Sequence, residues 1–135
     1  MKLLVAILLV VVSITRAYGA EPEIGFVTEL DGIGQIKREN ETVGNSTGTS
    51  IQQMDEASTK KGRMRIDFVD ETRLDVVDHS KIIIDEFVYD PATGKGSLDI
   101  RASLGAVRYA SGQIAKTSRQ KVRLRTPTAT ISVRG

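Results

Sequence analysis

Three adjacent residues have the side-chain types of a hydrolytic triad: Asp78, His79 and Ser80. His79 is the only histidine in the chain. A triad works only when the acid, the base and the nucleophile converge from separate structural elements, and consecutive residues of one turn do not meet that requirement. We therefore interpret 78–80 as a surface turn, assign no catalytic residue, and predict that the protein is not an enzyme.

Acidic residues are dense around this turn, which raises the question of a metal site. A calcium ion takes about six to eight oxygen ligands from a tight loop, but the sequence has no Asp-x-Asp-x-Asp-Gly pattern. Cysteine is absent, so a zinc site that depends on thiolate ligands is excluded as well. We predict neither a metal nor a cofactor. The acids concerned are Asp67, Asp70, Glu71, Asp75 and Asp78.

Basic residues are concentrated at the C-terminal end of the sequence. Residues 101–135 contain eight lysines and arginines and no acid, whereas all 17 acids lie in residues 20–100. One interpretation is that basic strands pair with acidic strands inside the fold. The other is a basic strip that holds an anion, an acidic partner or a lipid phosphate, with Arg108, Arg123 and Arg125 as its contact residues. We expect no nucleic acid partner, because no stacking aromatic residues interleave with the bases.

The N-terminal segment has the three parts of a secretory signal peptide. A positive start, Met1-Lys2, is followed by an apolar run from Leu3 to Ile14 and by the small-residue site Ala17-Tyr18-Gly19. The apolar run is shorter than the roughly 20 residues of a spanning helix. We therefore predict cleavage after Gly19, no stable membrane anchor after cleavage, and a periplasmic or secreted protein with a single domain at 20–135.

Beyond residue 20, apolar residues recur with a period of two, which is typical of half-buried strands. Turn signals such as Asp31-Gly32 and Asp70-Glu71-Thr72 separate these runs. The pattern predicts an all-β fold of short antiparallel strands in a sandwich, roll or solenoid-like arrangement. The alternating apolar residues are Met64, Ile66, Phe68, Leu74, Val76, Leu98, Ile100, Val107, Tyr109, Val122, Leu124, Ile131 and Val133.

Local details follow from the same pattern. If Phe68 faces Leu74, the intervening loop has the three residues 70–72, and Asp67 lies opposite Asp75, a like-charge pair. A change of inward parity within Lys81 to Tyr89 predicts either a β-bulge near residues 85–86 or burial of the strand on both faces. The polar stretch 39–61 is expected to be a long loop with at most one edge strand.

Four segments, in their order along the chain, resemble the FecR-like domain family. This family is the exported β-domain of ferric-citrate-type signalling regulators and of stand-alone envelope proteins. The first segment is similar to the family's first hairpin, and the second to a central strand, turn and strand, with Glu71 where the family usually has glycine. The segments are Gly25 to Gly32, Arg65 to Leu74, Gly105 to Gly112, and Thr126 to Gly135. The motif residues to which we assign structural roles are Gly105, Gly112, Thr126, Pro127, Arg134 and Gly135.

The resemblance implies a non-enzymatic exported module that binds another envelope protein or relays a signal. It does not imply sigma-factor regulation, since the helices that serve that purpose in the full regulators are missing from the sequence. Such domains usually continue past the final Arg-Gly, so the chain is either a fragment or a fold that closes early. The alternative function is a structural piece of a larger surface or secreted assembly. The oligomeric state stays open.

Overall fold

Ten strands make up most of the computed structural model, which describes residues 22–127 and 130–132. The predicted all-β fold is therefore confirmed, while the predicted signal peptide at 1–19 lies outside the described residues. The strands are β1 (Gly25–Arg38), β2 (Glu41–Gly44), β3 (Ser50–Ile51), β4 (Glu56–Phe68), β5 (Arg73–Val76), β6 (Lys81–Tyr89), β7 (Gly96–Leu104), β8 (Val107–Ala110), β9 (Val122–Arg125) and β10 (Thr130–Ser132). Between β8 and β9 lie a short helix, α1 (Gln113–Thr117), and a 3₁₀ turn (Arg119–Lys121).

The sheet branches at β4. Its main path runs β10-β9-β7-β6-β4-β1-β2, and a second branch leaves β4 through β5 to β8. The N-terminal part of β4, residues 56–58, pairs with β6, whereas residues 64–67 pair with β5. One pairing departs from the predicted antiparallel arrangement, because β7 and β9 run parallel. The connection between them contains β8 and α1, and a crossover of that length is what parallel strands require.

The first strand is continuous, and the hairpin and turn predicted around Asp31-Gly32 are wrong. In the middle of β1, Gly32 faces Gly62 of β4, and both have positive φ angles of 86° and 134°. A Cβ atom on Gly32 would lie 2.1 Å from the Lys61 carbonyl oxygen. Two glycines therefore let the paired strands cross closely with an irregularity in register, so the chain bends here instead of reversing.

The core includes the residues of β4, β5, β7 and β9 that the period-two pattern placed on the inner faces, together with residues that the pattern did not assign, such as Val27, Ile36 and Ile114. Those of β4, β5 and β7 are buried in a single apolar cluster, and Val122 of β9 joins it. Leu124, Val107 and Tyr109 are half-buried against the same cluster. Burying a large aliphatic side chain contributes about 1.5–3 kcal/mol, so this alternation supplies the main stabilisation of the sheet. The side chains of Ile131 and Val133 lie outside the described residues.

The register of the β4–β5 hairpin differs from the predicted one. Leu74 faces Ile66 and not Phe68. The loop still has three residues, but they are 69–71, and the Phe68 amide donates to the Thr72 carbonyl at 2.9 Å across its base. Glu71 has a φ of 72°, so it occupies the left-handed conformation that the family's usual glycine adopts without strain.

Charge explains why this register is preferred. The predicted like-charge pair of Asp67 and Asp75 does not form. Asp67 instead faces Arg73, and the Arg73 Nε lies 2.8 Å from the Asp67 Oδ1. Arg65 faces Asp75, and the Arg65 Nε lies 2.8 Å from the Asp75 Oδ1. Opposite charges on facing positions stabilise a strand pair and like charges destabilise it. Shifting β5 along β4 thus exchanges a repulsive pair for two attractive ones.

The region 39–61 is more ordered than the long loop expected from its polarity. It contains β2, β3 and the start of β4. The inward positions at the start of β4 hold Ala57 and Thr59, which are too small or too polar to produce a visible apolar alternation. The predicted bulge is confirmed, because the β6–β7 register shifts between Ile84 and Glu86.

Candidate functional site

The residues of the triad-like sequence serve to close a turn. His79 lies between β5 and β6 at a φ of 51°, and its amide donates to the Lys60 carbonyl at 2.6 Å. The Ser80 hydroxyl accepts a hydrogen bond from the Ala106 amide at 2.9 Å and donates to the Ala106 carbonyl at 3.0 Å. These bonds tie the turn to the β7–β8 connection. In the part of the chain that the structure describes, no group of three or more acidic or histidine side chains is placed to hold a metal ion.

The structure separates the three arginines that the sequence grouped as contact residues. Arg108 lies on β8, in the short branch of the sheet, opposite Asp75. The pKa of Asp75 is lowered chiefly by the hydrogen bond from Arg65, with a smaller effect from the charge of Arg108. Arg123 and Arg125 lie on β9, in the other branch. These three residues therefore do not form one strip.

Arg125 is neutralised inside the fold. Its Nε donates to Asp99 at 2.8 Å, and its Nη2 donates to Asp85. Arg101 also contacts Asp85, at 3.3 Å. The hydrogen bond to Asp99 raises the pKa of Arg125. For Arg125 the structure thus follows the interpretation in which basic strands pair with acidic ones, whereas Arg123 remains exposed.

A second group of cations, which sequence reasoning did not single out, lines an open cleft of about 550 Å³. It forms where the β6–β7 hairpin loop meets α1 and the 3₁₀ turn. We call it the basic cleft, and its lining residues are Lys95, Lys116, Thr117, Ser118, Arg119, Gln120 and Lys121. The C-terminal charge excess pointed to three of these cations, but Lys95 joins them only through the tertiary fold.

An apolar groove of about 510 Å³ opens at the start of the same hairpin loop, where Tyr89 and Pro91 line it. Val69 and Val88 on its wall are 49% and 53% exposed, so a substantial apolar surface faces solvent. Val88 occupies an outward position of β6. An apolar residue at such a position was the sequence feature that could have pointed to this groove. The lining residues are Pro22, Glu23, Ile24, Gln53, Val69, Phe87, Val88, Tyr89 and Pro91.

Hydrogen bonds hold the segments of the apolar groove in place. The Ile24 amide donates to the Ile51 carbonyl at 2.8 Å, and the Ile24 carbonyl accepts from the Val69 amide at 2.9 Å. The Gln53 side chain accepts from the Phe87 amide at 3.1 Å. Beneath the groove, the rings of Phe87 and Phe68 stack with centroids 5.3 Å apart. The groove is therefore a preformed feature of the fold.

A buried ion pair supports the loop that carries Gln53. Asp55 is fully buried, and Arg38 contacts both of its carboxylate oxygens at 2.9 Å. The Gln52 amide donates to the same carboxylate at 2.8 Å. Such a two-point contact fixes both distance and orientation, so it ties the 52–55 loop to the end of β1.

Two of the motif glycines lie where a side chain does not fit. A Cβ atom on Gly105 would lie 2.1 Å from the Ser80 hydroxyl, and one on Gly112 would lie 2.3 Å from the Thr72 amide nitrogen. Thr126 and Pro127 follow β9 directly. Arg134 and Gly135 lie outside the described residues.

Comparison with known proteins gives one match. The family model described as FecR protein matches residues 55–135, which is more than half of the chain and includes every strand from β4 to β10. No curated protein and no solved structure matches the chain. Within residues 22–127 and 130–132, no helix is long and apolar enough to cross a membrane.

Proposed function

The chain belongs to the FecR protein family, whose members are signalling regulator domains of the cell envelope, and on this premise we propose that it is a non-enzymatic binding module. In this proposal the module acts in the periplasm or outside the cell, contacts another envelope protein, and thereby takes part in a signal relay. The apolar groove is the surface through which it binds.

The observation that carries the proposal is the exposed apolar wall of a preformed groove. Contiguous exposed apolar surface is uncommon on proteins that act alone and marks sites of interaction. Val69 and Val88 supply this surface, while Phe87 and Tyr89 supply the aromatic lining that interface hot spots favour. Because the groove does not have to be assembled on binding, little conformational entropy is lost there.

The residues that line the groove indicate which kind of partner it would bind. Its walls are mainly aliphatic and aromatic, with the single charge of Glu23 and the amide of Gln53. The matching ligand is an apolar side chain, or a short apolar stretch, presented by another envelope protein. A highly charged segment does not match, because its charges would lose water without gaining partners.

Photo-crosslinking tests the proposal. A photoreactive phenylalanine analogue replaces Val88, and the cells are irradiated with the protein in its native envelope. We expect a discrete crosslinked product with one other protein, and we expect Val69→Asp in the same chain to abolish it. The matched control places the analogue at Val43, which is 44% exposed on β2, at the edge of the sheet far from β6.

The results distinguish a specific groove from general stickiness. Equal crosslinking from positions 88 and 43 would contradict the proposal, as would a product that survives Val69→Asp. Circular dichroism of the variants confirms that they remain folded. Val69 and Val88 are already about half exposed, so we expect these substitutions to cost little stability.

The alternative function, a structural piece of a larger assembly, is favoured by one observation. Among the described residues, β8 pairs only with β5 and β2 pairs only with β1, so each has one edge free to accept a further strand. Light scattering on the exported protein separates the two functions. Concentration-dependent growth of oligomers would support assembly, whereas a monomer would support the binding module.

A further inference from the structure

The basic cleft brings together four cations that are not paired with acids. Other basic residues do form ion pairs, as Arg38 does with Asp55 and Arg125 with Asp99. Across the described residues, none of the four cations in the cleft comes within ion-pair distance of an acid. All four are exposed: Lys95, Lys116, Arg119 and Lys121.

The tertiary fold gathers these cations from two separate parts of the chain. Lys95 comes from the β6–β7 hairpin, and the others come from α1 and the turn that follows it. The Thr117 hydroxyl donates to the Gly94 carbonyl, and the Gly96 amide donates to the Ser118 hydroxyl at 3.3 Å. These two bonds hold the hairpin against α1, so the cations form one positive surface.

Nearby acids cancel only part of this charge. Asp90, at the start of the hairpin loop, accepts hydrogen bonds from the Ala92 amide at 2.9 Å and the Thr93 hydroxyl at 3.1 Å; these neutral donors do not offset its charge, which is one against four. Asp99 is paired with Arg125. Glu86 lines an adjoining cleft with Asp99, and the exposed Arg123 lines it too. Lys121 borders both clefts, so it also lies on the side of Glu86. A net positive surface therefore remains around the basic cleft.

We propose that the basic cleft docks the protein reversibly on an anionic lipid bilayer. Clustered lysines and arginines are attracted to the negative surface potential of such membranes, to which each contributes independently of precise geometry. The exposed Pro91 lies in the same hairpin loop as Lys95. Apolar side chains next to cations are typical of surfaces that rest in the headgroup region.

Charge and shape favour a bilayer over other anions. The cleft is open and its cations lie on the surface, so it lacks the converging, buried donors that would enclose a single free phosphate. It also lacks aromatic side chains on which nucleic acid bases would stack. The family is associated with the envelope, where lipid phosphates form an extended array of negative charge.

Vesicle co-sedimentation tests this inference with matched variants. The exported protein is mixed with vesicles of one part phosphatidylglycerol to two parts phosphatidylcholine, and with vesicles of phosphatidylcholine alone. The variant Lys116→Gln/Lys121→Gln removes two cations from the cleft. The control Lys60→Gln/Lys61→Gln removes the same charge from exposed positions of β4.

We expect binding to the anionic vesicles only, and a roughly 30-fold loss of partitioning for the cleft variant, because each basic residue near the surface contributes about fivefold. The β4 control should lose far less. Raising the salt from about 0.05 M to about 0.5 M should abolish binding, since screening shortens the reach of the charges. Three results would overturn the inference: equal losses for both variants, binding that persists at high salt, and displacement by inorganic phosphate at constant ionic strength, which would indicate a discrete anion site.

Discussion

The buried pair of Arg38 and Asp55 provides a quantitative test of how the fold supports the apolar groove. We consider the substitution Arg38→Ala, which leaves a fully buried carboxylate without its counter-charge. Removing one partner of a buried pair costs about 3–5 kcal/mol. The Arg38 side chain is 30% exposed, so water reaches the site and reduces that cost. Gln52 also still donates to the carboxylate. We therefore expect a loss of about 2–3 kcal/mol.

The measurement is guanidinium unfolding followed by far-ultraviolet circular dichroism, since the chain has no tryptophan to report on unfolding. For a domain of this size the expected loss corresponds to a fall in Tm of about 8–12 °C. Arg38→Lys restores the charge but not the two-point contact, so it should recover only part of the lost stability.

The control is Arg73→Ala, which breaks an ion pair of similar separation, 2.8 Å against 2.9 Å for Arg38 and Asp55. Its two side chains are 52% and 32% exposed, so the expected loss is only about 0–0.5 kcal/mol. Equal losses for Arg38→Ala and Arg73→Ala would refute the reasoning, because it attributes the difference to burial and not to the ion pair itself. A large loss for Arg38→Ala should also weaken crosslinking at the groove, since the 52–55 loop carries Gln53.

Two further predictions concern acid stability and the motif glycines. The hydrogen bond from Arg65 lowers the pKa of Asp75, so the stability that this pair contributes is present above the unfolded pKa of about 3.9 and is lost as the pH falls through the lower folded value. Acid titration should therefore show a steeper loss of stability for the wild type than for Asp75→Asn; identical curves for the two proteins would contradict this. Gly112→Ala should cost at least about 2 kcal/mol in chemical unfolding, because its Cβ would lie 2.3 Å from a backbone nitrogen. Gly48→Ala meets no atom within 4 Å and should cost about 1–2 kcal/mol through its left-handed φ alone, so a smaller loss at Gly112 than at Gly48 would be inconsistent with the steric argument.

Several features of the fold could be predicted from sequence because they depend on local geometry. The bulge between Ile84 and Glu86 was visible as a break in parity. The odd number of residues in the loop after β4 likewise follows from parity, but the register of β5 against β4 does not. Parity is unchanged when a strand slides by two residues, and only the facing charges, Asp67 with Arg73, distinguish the two alternatives.

The candidate surfaces were harder to predict, since each is built from segments distant in sequence. Val88 lies in an apolar run of the sequence, but nothing indicated that Val69 and Ile24 would lie beside it. The C-terminal excess of positive charge was evident, yet the sequence did not show which cations would be neutralised. Arg125 was a candidate contact residue in one of two interpretations, and the fold follows the other by pairing it with Asp85.

The sequence by itself determined which residues face inward, because a strand places alternate side chains on opposite faces whatever its neighbours are. It also determined that positive charge is concentrated near the C-terminal end. The tertiary structure alone decided the branching at β4, the parallel pairing of β7 with β9, and which of the cations form ion pairs with acids. These depend on contacts such as that between Arg125 and Asp85, which are 40 residues apart, and long-range contacts leave no periodic trace in the chain.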